Sequence, residues 1–408
     1  MSDNTDPIGQ FLAGERDRQT AFLAELVKTP SDNPPGDTAP HAERTAMLLE
    51  ALGLTVERHP VPEQLARANG MISASNLVVR HRFGDGPVIA LNAHGDVVPP
   101  GDGWTQDPYG AAIVDGWMVG RGVAVSKSDI ASYTWALLAL RASGLPLRGT
   151  VELHFTYDEE AGGEIGPGLL LSEGISKPDY AIGAGFSYAV VNAHNGALHL
   201  EVEVRGRSAH AAKPATGIDA LEAATAILSR LYAWRRSLAE RVSSVPGIGS
   251  PQMTVGLIRG GINTNVVPDR VAFRIDRRMT PEEQGEAVES ELRQVIEDAA
   301  RSYPDAKVTI RRILLAEPLT PLPGSERISA ALCAEASRIM GETVGTTGTP
   351  LYTDARHYAA HRVPIVLYGA GPHSIEEANA HRADERLPLS DLFKATEVVA
   401  RTLANLLG

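Results

Sequence analysis

Apolar and polar positions change their period several times along this chain, and each change predicts a kind of element. From Pro7 to about Leu54 the residues read as helical, with Phe11, Leu12, Phe22, Leu23 and Leu26 at helical spacing ahead of the loop SDNPPGDTAP. The segments NLVVRHRF and PVIALNAHGDV are short apolar runs bounded by glycine, proline and asparagine, as expected of strands buried on both faces of a sheet. A helix is predicted from near Ser128 through Tyr133, Leu137, Leu138 and Leu140, and after the Gly144 to Gly149 turn comes the strand TVELHFTY. Strand, helix, strand in this rhythm predicts an α/β fold whose mostly parallel sheet is flanked by helices.

From about His194 the period becomes two. In ALHLEVEVRG, Leu198, Leu200, Val202 and Val204 share one face and charged residues the other, so a sheet covered on one side is expected. Two helices accompany it. One is IDALEAATAILSRLYAWRR; the other should open at Thr280, Pro281 and Glu283, which together form a capping signal. After roughly Ile313 the buried-strand pattern returns in VPIVLYGAG and a C-terminal helix follows. The expected division is an α/β domain over 1 to 193 and 314 to 408, interrupted by a smaller α+β domain over 194 to 313.

Composition narrows the function. A chain of 408 residues, 43% hydrophobic, suffices for two domains with real cores, and its glycines and prolines are dispersed. A formal net charge of -12 opposes binding to nucleic acid or an anionic membrane, which leaves small molecules and protein partners. The opening MSDNTDPIGQ has neither the basic flank nor the apolar run of a signal peptide, and no later segment reaches membrane-spanning length, so a cytoplasmic location is expected. The lone Cys333 falls on the apolar face of RISAALCAEASRIM, which predicts a buried helix position.

Two segments concentrate chemistry. LNAHGDVVPPGDGW sets His94 and Asp96 at the end of a buried strand, where ligand sites of open α/β sheets lie. In this H-x-D spacing the carboxylate can hydrogen-bond the imidazole and fix its tautomer for metal binding; by itself the pair favours a histidine capping a strand end. Asp158, Glu159 and Glu160 follow a second strand and precede Gly162 and Gly163. Three successive acids repel one another unless a cation compensates; a solvated acidic loop is the alternative, and the glycine pair with the preceding buried strand favours a site. One glutamate could bind metal while its neighbour takes a proton from water.

Taken in order, HGDVVPPGDGW, DGWMVGRG, DEEAGG, RSAHAAKP, NTNVVPD and AHRADE resemble the acetylornithine deacetylase, succinyl-diaminopimelate desuccinylase and carboxypeptidase G family over nearly the whole chain. The resemblance implies a metal-dependent hydrolase of an amide bond in a small carboxylated substrate. It also implies that the inserted domain is a lid through which the chain forms a homodimer. It makes His94 a metal ligand, Asp96 its orienting partner, Glu159 the general base, and Glu160 and His381 ligands of a second ion. His210 would stabilise the oxyanion in the partner's active site, while Asn265 and Arg278 would contact substrate. Without the resemblance, Arg278 reads as a surface arginine on an edge strand.

The chain departs from that family at two ligand positions. Val125, in GRGVAVSKSD, stands where a carboxylate bridging two ions is expected, and Gly185 stands where another carboxylate should follow the strand DYAI. Asp129 is near enough to substitute, but an acid in the first turn of a helix is also favoured by the helix dipole. His194 and Asn195 fall at the domain junction, where a structural role is expected. The surviving donors are His94, Glu160 and His381, a set suited to at most one tight divalent ion per subunit, with zinc the expected metal. Two other readings remain: hydrolysis of an unusual C–N bond with one metal or none, and a non-catalytic protein that binds a small carboxylated ligand.

Overall fold

The computed structural model describes residues 6–408. The chain divides into two compact units, one formed by residues 1–192, 321–347 and 353–408, the other by residues 193–320 and 348–352. The second crossing therefore lies a few residues beyond the expected 313, because the strand Lys307–Ala316 completes the inserted sheet. Residues 348–352 also go with the inserted unit.

The larger unit is built on an eight-stranded sheet. Its order is Val56–Pro60, Ser75–Arg82, Thr150–Thr156, Val88–His94, Tyr180–Gly183, Ile365–Leu367, Val190–His194 and Thr346–Thr349. Parallel pairing holds the middle: Val88–His94 runs parallel to Thr150–Thr156 and to Tyr180–Gly183, which runs parallel to Ile365–Leu367. Ser75–Arg82 pairs antiparallel with both its neighbours, so the expected, mostly parallel sheet carries an antiparallel flank and is mixed. The central strands are the continuous apolar runs read from sequence; Ile89, Ala90, Leu91 and Ala93 are buried on both faces.

The helix Lys127–Ser143 explains much of this core. Nearly all of it is buried, including Tyr133, Trp135 and Leu137, and it packs against the helices Pro7–Lys28 and Leu389–Leu407. Gly144 ends it in left-handed backbone at φ 67°, a conformation glycine adopts without a Cβ penalty. Cys333 is only half-buried, on a helix packed against this core.

The smaller unit carries an antiparallel sheet in the order Gln252–Gly260, Arg270–Met279, Gly196–Arg205, Lys307–Ala316. Leu198, Leu200, Val202 and Val204 join Phe273 and Ile275 in a core closed by the helices Ala220–Ser237 and Gly285–Ala300. The opposite face is charged, with Glu201 paired to Arg274 and Arg311, and Glu203 paired to Arg270. The second helix begins at Gly285, later than the sequence signal suggests. Glu283 accepts from the Thr280 amide at 3.0 Å but mainly serves the buried Arg277, whose Nη2 lies 2.5 Å from Glu283 Oε1. No helix among the described residues is long and apolar enough to cross a membrane.

Candidate active site

In the larger unit, the carboxyl ends of the central strands bring the acidic and imidazole groups together. His94 closes the strand Val88–His94, and Ser126 clasps its backbone from both sides: the His94 amide donates to Ser126 Oγ at 2.7 Å, and that hydroxyl donates to the His94 carbonyl at 2.9 Å. The ring Nδ1 lies 3.0 Å from the Asp96 carbonyl oxygen and 3.3 Å from its carboxylate. This leaves Nε2 facing Glu159 Oε2 at 3.9 Å.

Asp96 does more than orient the imidazole. Its fully buried carboxylate accepts from the amides of Glu159 and Glu160, at 3.2 and 3.1 Å, and from Asn33 Nδ2 at 3.0 Å. One side chain thereby fixes His94 and the turn carrying both glutamates. Asp158, the first acid of that turn, points away and accepts from the Ile165 amide at 2.7 Å, so its role is structural. Gly163 has φ 75° and no space for a side chain, since a Cβ there would lie 2.2 Å from Asp354 Oδ1. Gly163 is thus required by a close approach.

Burial alone would push the His94 imidazole down, yet its hydrogen bond with Asp96 and the charges of Glu159, Asp96 and Glu160 hold it well above its ordinary value. Burial pushes the Glu159 carboxyl well above the usual carboxylate range; His94 pulls it back, and Glu160, Asp354 and Asp96 push it further. Several buried carboxylates this close together retain protons. On its outer side, His381 Nε2 lies 3.4 Å from Glu160 Oε1, and that contact raises the His381 pKa.

Two further buried acids join this site: Asp354, not among the residues expected from sequence, and Asp129, expected at a helix start. Asp354, in the loop TGTPLYTDARHY, accepts from Thr156 Oγ1 at 3.4 Å, and burial raises its pKa to about 7 against the opposing charge of His94. Its position one residue before the helix Ala355–Ala360 was the available signal. Asp129 does lie in the first turn of its helix, but its carboxylate leaves the helix end. Oδ1 accepts from the Ala370 amide at 2.6 Å, and Gly185 supplies a second backbone donor. Oδ2 is buried without a hydrogen-bond partner among the described residues, and burial raises this carboxyl to about 7.

Of the three metal donors read from sequence, Glu160 pairs with His381, while His94 faces Glu159, the residue read as general base. Among the described residues, no three His, Cys, Asp or Glu side chains are gathered so as to hold an ion. Val125 offers no donor atom and Gly185 no side chain, so the residues present do not fit a two-ion complement.

In the smaller unit, His210 and Asn265 are neighbours on exposed loops, joined by the Ala211 amide donating to the Asn265 carbonyl at 3.0 Å. Arg278 lies on an interior strand, not an edge. Its guanidinium forks onto Asp276 at 3.0 to 3.2 Å and stacks over Tyr352. His194 and Asn195 are buried, with the Asn195 amide donating to the Thr349 carbonyl at 3.1 Å.

This arrangement, acids and imidazoles at parallel strand ends, has counterparts among known proteins. Residues 90–405 match the peptidase family M20/M25/M40. The chain belongs to that family. It is 29% identical to a succinyl-diaminopimelate desuccinylase of Gluconacetobacter diazotrophicus over 94% of this chain and 96% of that one. It is also 29% identical to an acetylornithine deacetylase of Myxococcus xanthus over 95% and 97% of the two chains. Among solved structures, an M20-family metallo-carboxypeptidase of Sulfolobus solfataricus shares the fold with a TM-score of 0.75 at 17% identity, covering 95% of this chain and 99% of that one. The Bacillus subtilis YXEP protein, described as a dinuclear metal-binding peptidase, does so with a TM-score of 0.68 at 18% identity, over 97% and 99%. The family and these relatives make the chain a hydrolase acting on C–N bonds, of the kind that cleaves amides.

Proposed function

We propose that this family member hydrolyses the amide bond of a small N-acylated, carboxylated substrate, with Glu159 as general base and Asp96 and His94 as its fixed support. The observation that carries this reading is the Asp96 carboxylate, which binds the Glu159 and Glu160 amides while its other contacts orient His94. Glu159, whose carboxyl burial raises well above the usual carboxylate range, takes the proton of the attacking water and delivers it to the leaving amine. His210 is proposed to stabilise the oxyanion across a homodimer formed through the inserted unit, and Asn265 and Arg278 to contact substrate. Since Asp276 already holds the Arg278 fork, a substrate carboxylate must share it with that residue.

For the metal, the reading is at most one tight divalent ion per subunit, zinc by donor chemistry, on Glu160 and His381 with His94 as a third donor if the two pairs draw together. Such an ion would polarise the scissile carbonyl. Glu159→Gln should lower kcat on N-succinyl and N-acetyl amino acids by about a hundredfold or more without altering the fold. Because the base must be ionised, kcat/KM of the unaltered protein should fall with acidity through a midpoint above the ordinary 4.5 of a glutamate. Equal activity of the glutamine variant would sink the assignment. The empty positions at Val125 and Gly185 favour a second reading, hydrolysis without metal, and activity that survives exhaustive chelation would select it. A protein that binds N-acyl amino acids but turns none over would be the non-catalytic alternative.

A further inference from the structure

Asn379, His381 and Asp384 all adopt positive φ, at 50°, 61° and 55°. They fall within the seven residues between the short helix Ile375–Ala378 and the strand Arg386–Pro388. Left-handed backbone is unfavourable for residues with a Cβ, and three instances so close together persist only where surrounding contacts determine them. His381 does not determine its own place, because its side chain is 64% exposed and meets Glu160 only at 3.4 Å.

The holding contacts come three and four residues later. The Asp384 carboxylate accepts from the Thr105 amide at 2.8 Å, from Thr105 Oγ1 at 3.0 Å and from the Gln106 amide at 3.4 Å. Glu385 is fully buried, pairs with Arg121 Nη1 at 2.5 Å and accepts from the Ala124 amide at 3.2 Å. Arg121 continues to the Pro100 carbonyl at 3.0 Å and lies over the Trp104 ring. Two residues beyond Ala124, Ser126 clasps the backbone of His94. The same anchor therefore reaches both halves of the site, His381 through its own loop and His94 through the segment 124–126.

We infer that Asp384, rooted beside the buried Arg121–Glu385 pair, is a positioning residue that holds the left-handed loop so that His381 stands opposite Glu160. The inference rests on the reading of Glu160 and His381 as part of the active site. Asp384 is the residue to change, because it lies near the surface and its loss leaves no buried charge unpaired. Asp384→Gly keeps the backbone conformation allowed and removes only the side-chain anchor. Asp384→Asn retains an oxygen for the Thr105 amide and also tolerates left-handed backbone.

The glycine variant should keep its melting temperature and KM, lose about ten- to hundredfold in kcat, and show faster amide exchange across residues 379–385; the asparagine variant should restore most of both. Unchanged exchange and kcat in Asp384→Gly would overturn the inference, as would an asparagine variant no better than glycine. If no N-acyl amino acid is cleaved by any version, the proposed reaction fails, while the exchange comparison still decides whether Asp384 holds the loop.

Discussion

Asp129 is the residue at which local and tertiary forces differ most. Its place in the first helical turn invites a helix-dipole role, but its carboxylate is buried on the amides of Ala370 and Gly185 with one oxygen unpartnered. Its folded-state pKa of about 7 lies above the ordinary 3.8, so between those values the folded protein binds more protons than the unfolded chain. Stability from this group is present below about pH 4 and is lost as pH rises through about 7. Asp129→Asn should remove that slope, on the order of 4 kcal/mol across the window, in urea unfolding at pH 4 and pH 8. An identical pH dependence in both proteins would show that the carboxyl ionises freely. Glu159 resists sequence reading for a related reason, since its neighbours Asp158 and Glu160 have the same chemistry and only the direction of each side chain separates their roles.

Among the elements, two segments show how packing overrides local signals. The Thr280–Glu283 capping pattern does not start a helix, because Glu283 is drawn to Arg277, a fully buried guanidinium that also lies over Trp234. Glu283→Ala should destabilise the smaller unit by about 3–5 kcal/mol, the cost of leaving a buried charge without its partner, and calorimetry on the variant would measure it. A loss below about 1 kcal/mol would mean that water reaches Arg277. Gly185 follows the strand Tyr180–Gly183 so closely against its neighbour that a Cβ would lie 3.1 Å from the Tyr368 amide nitrogen and 3.2 Å from the Leu367 carbonyl carbon. Restoring carboxylates with Val125→Asp and Gly185→Glu should raise metal occupancy towards two by elemental analysis. The glutamate at 185 should also cost stability, since the strand Ile365–Leu367 must yield. Unchanged occupancy would mean that other side chains already set the stoichiometry.

For the whole molecule, the expected outcomes concern assembly and metal. The one-sided sheet of the inserted unit ends in the edge strand Gln252–Gly260, which pairing with a second copy would protect, so solution scattering at micromolar concentration should give the mass of two chains. A monomer mass would remove the proposed role of His210 along with the dimer. Purified protein should hold no more than one tight divalent ion per subunit, and His381→Ala should abolish its retention. Two tight ions in the unaltered protein would point to Asp129, whose unpartnered oxygen is the site's spare carboxylate donor.

The sequence by itself determined the α/β character, the inserted antiparallel unit and the order of the chemical motifs. Each of these depends on period, run length or residue type, properties that survive without coordinates: the run from Val88 to His94 is apolar whichever strand lies beside it, and valine at 125 cannot ligate under any fold. The antiparallel flank of the sheet was not legible, because strands buried on both faces carry no mark of their neighbours' direction. Nor could the sequence decide that Asp96 holds the Glu159 turn, that Asp354 and Asp129 join the site, or that His94 and Glu160 face different partners. Those facts are distances between residues tens to hundreds of positions apart, and only the packed strand ends, where burial raises some carboxyls and backbone amides claim others, decide which acids are free to act.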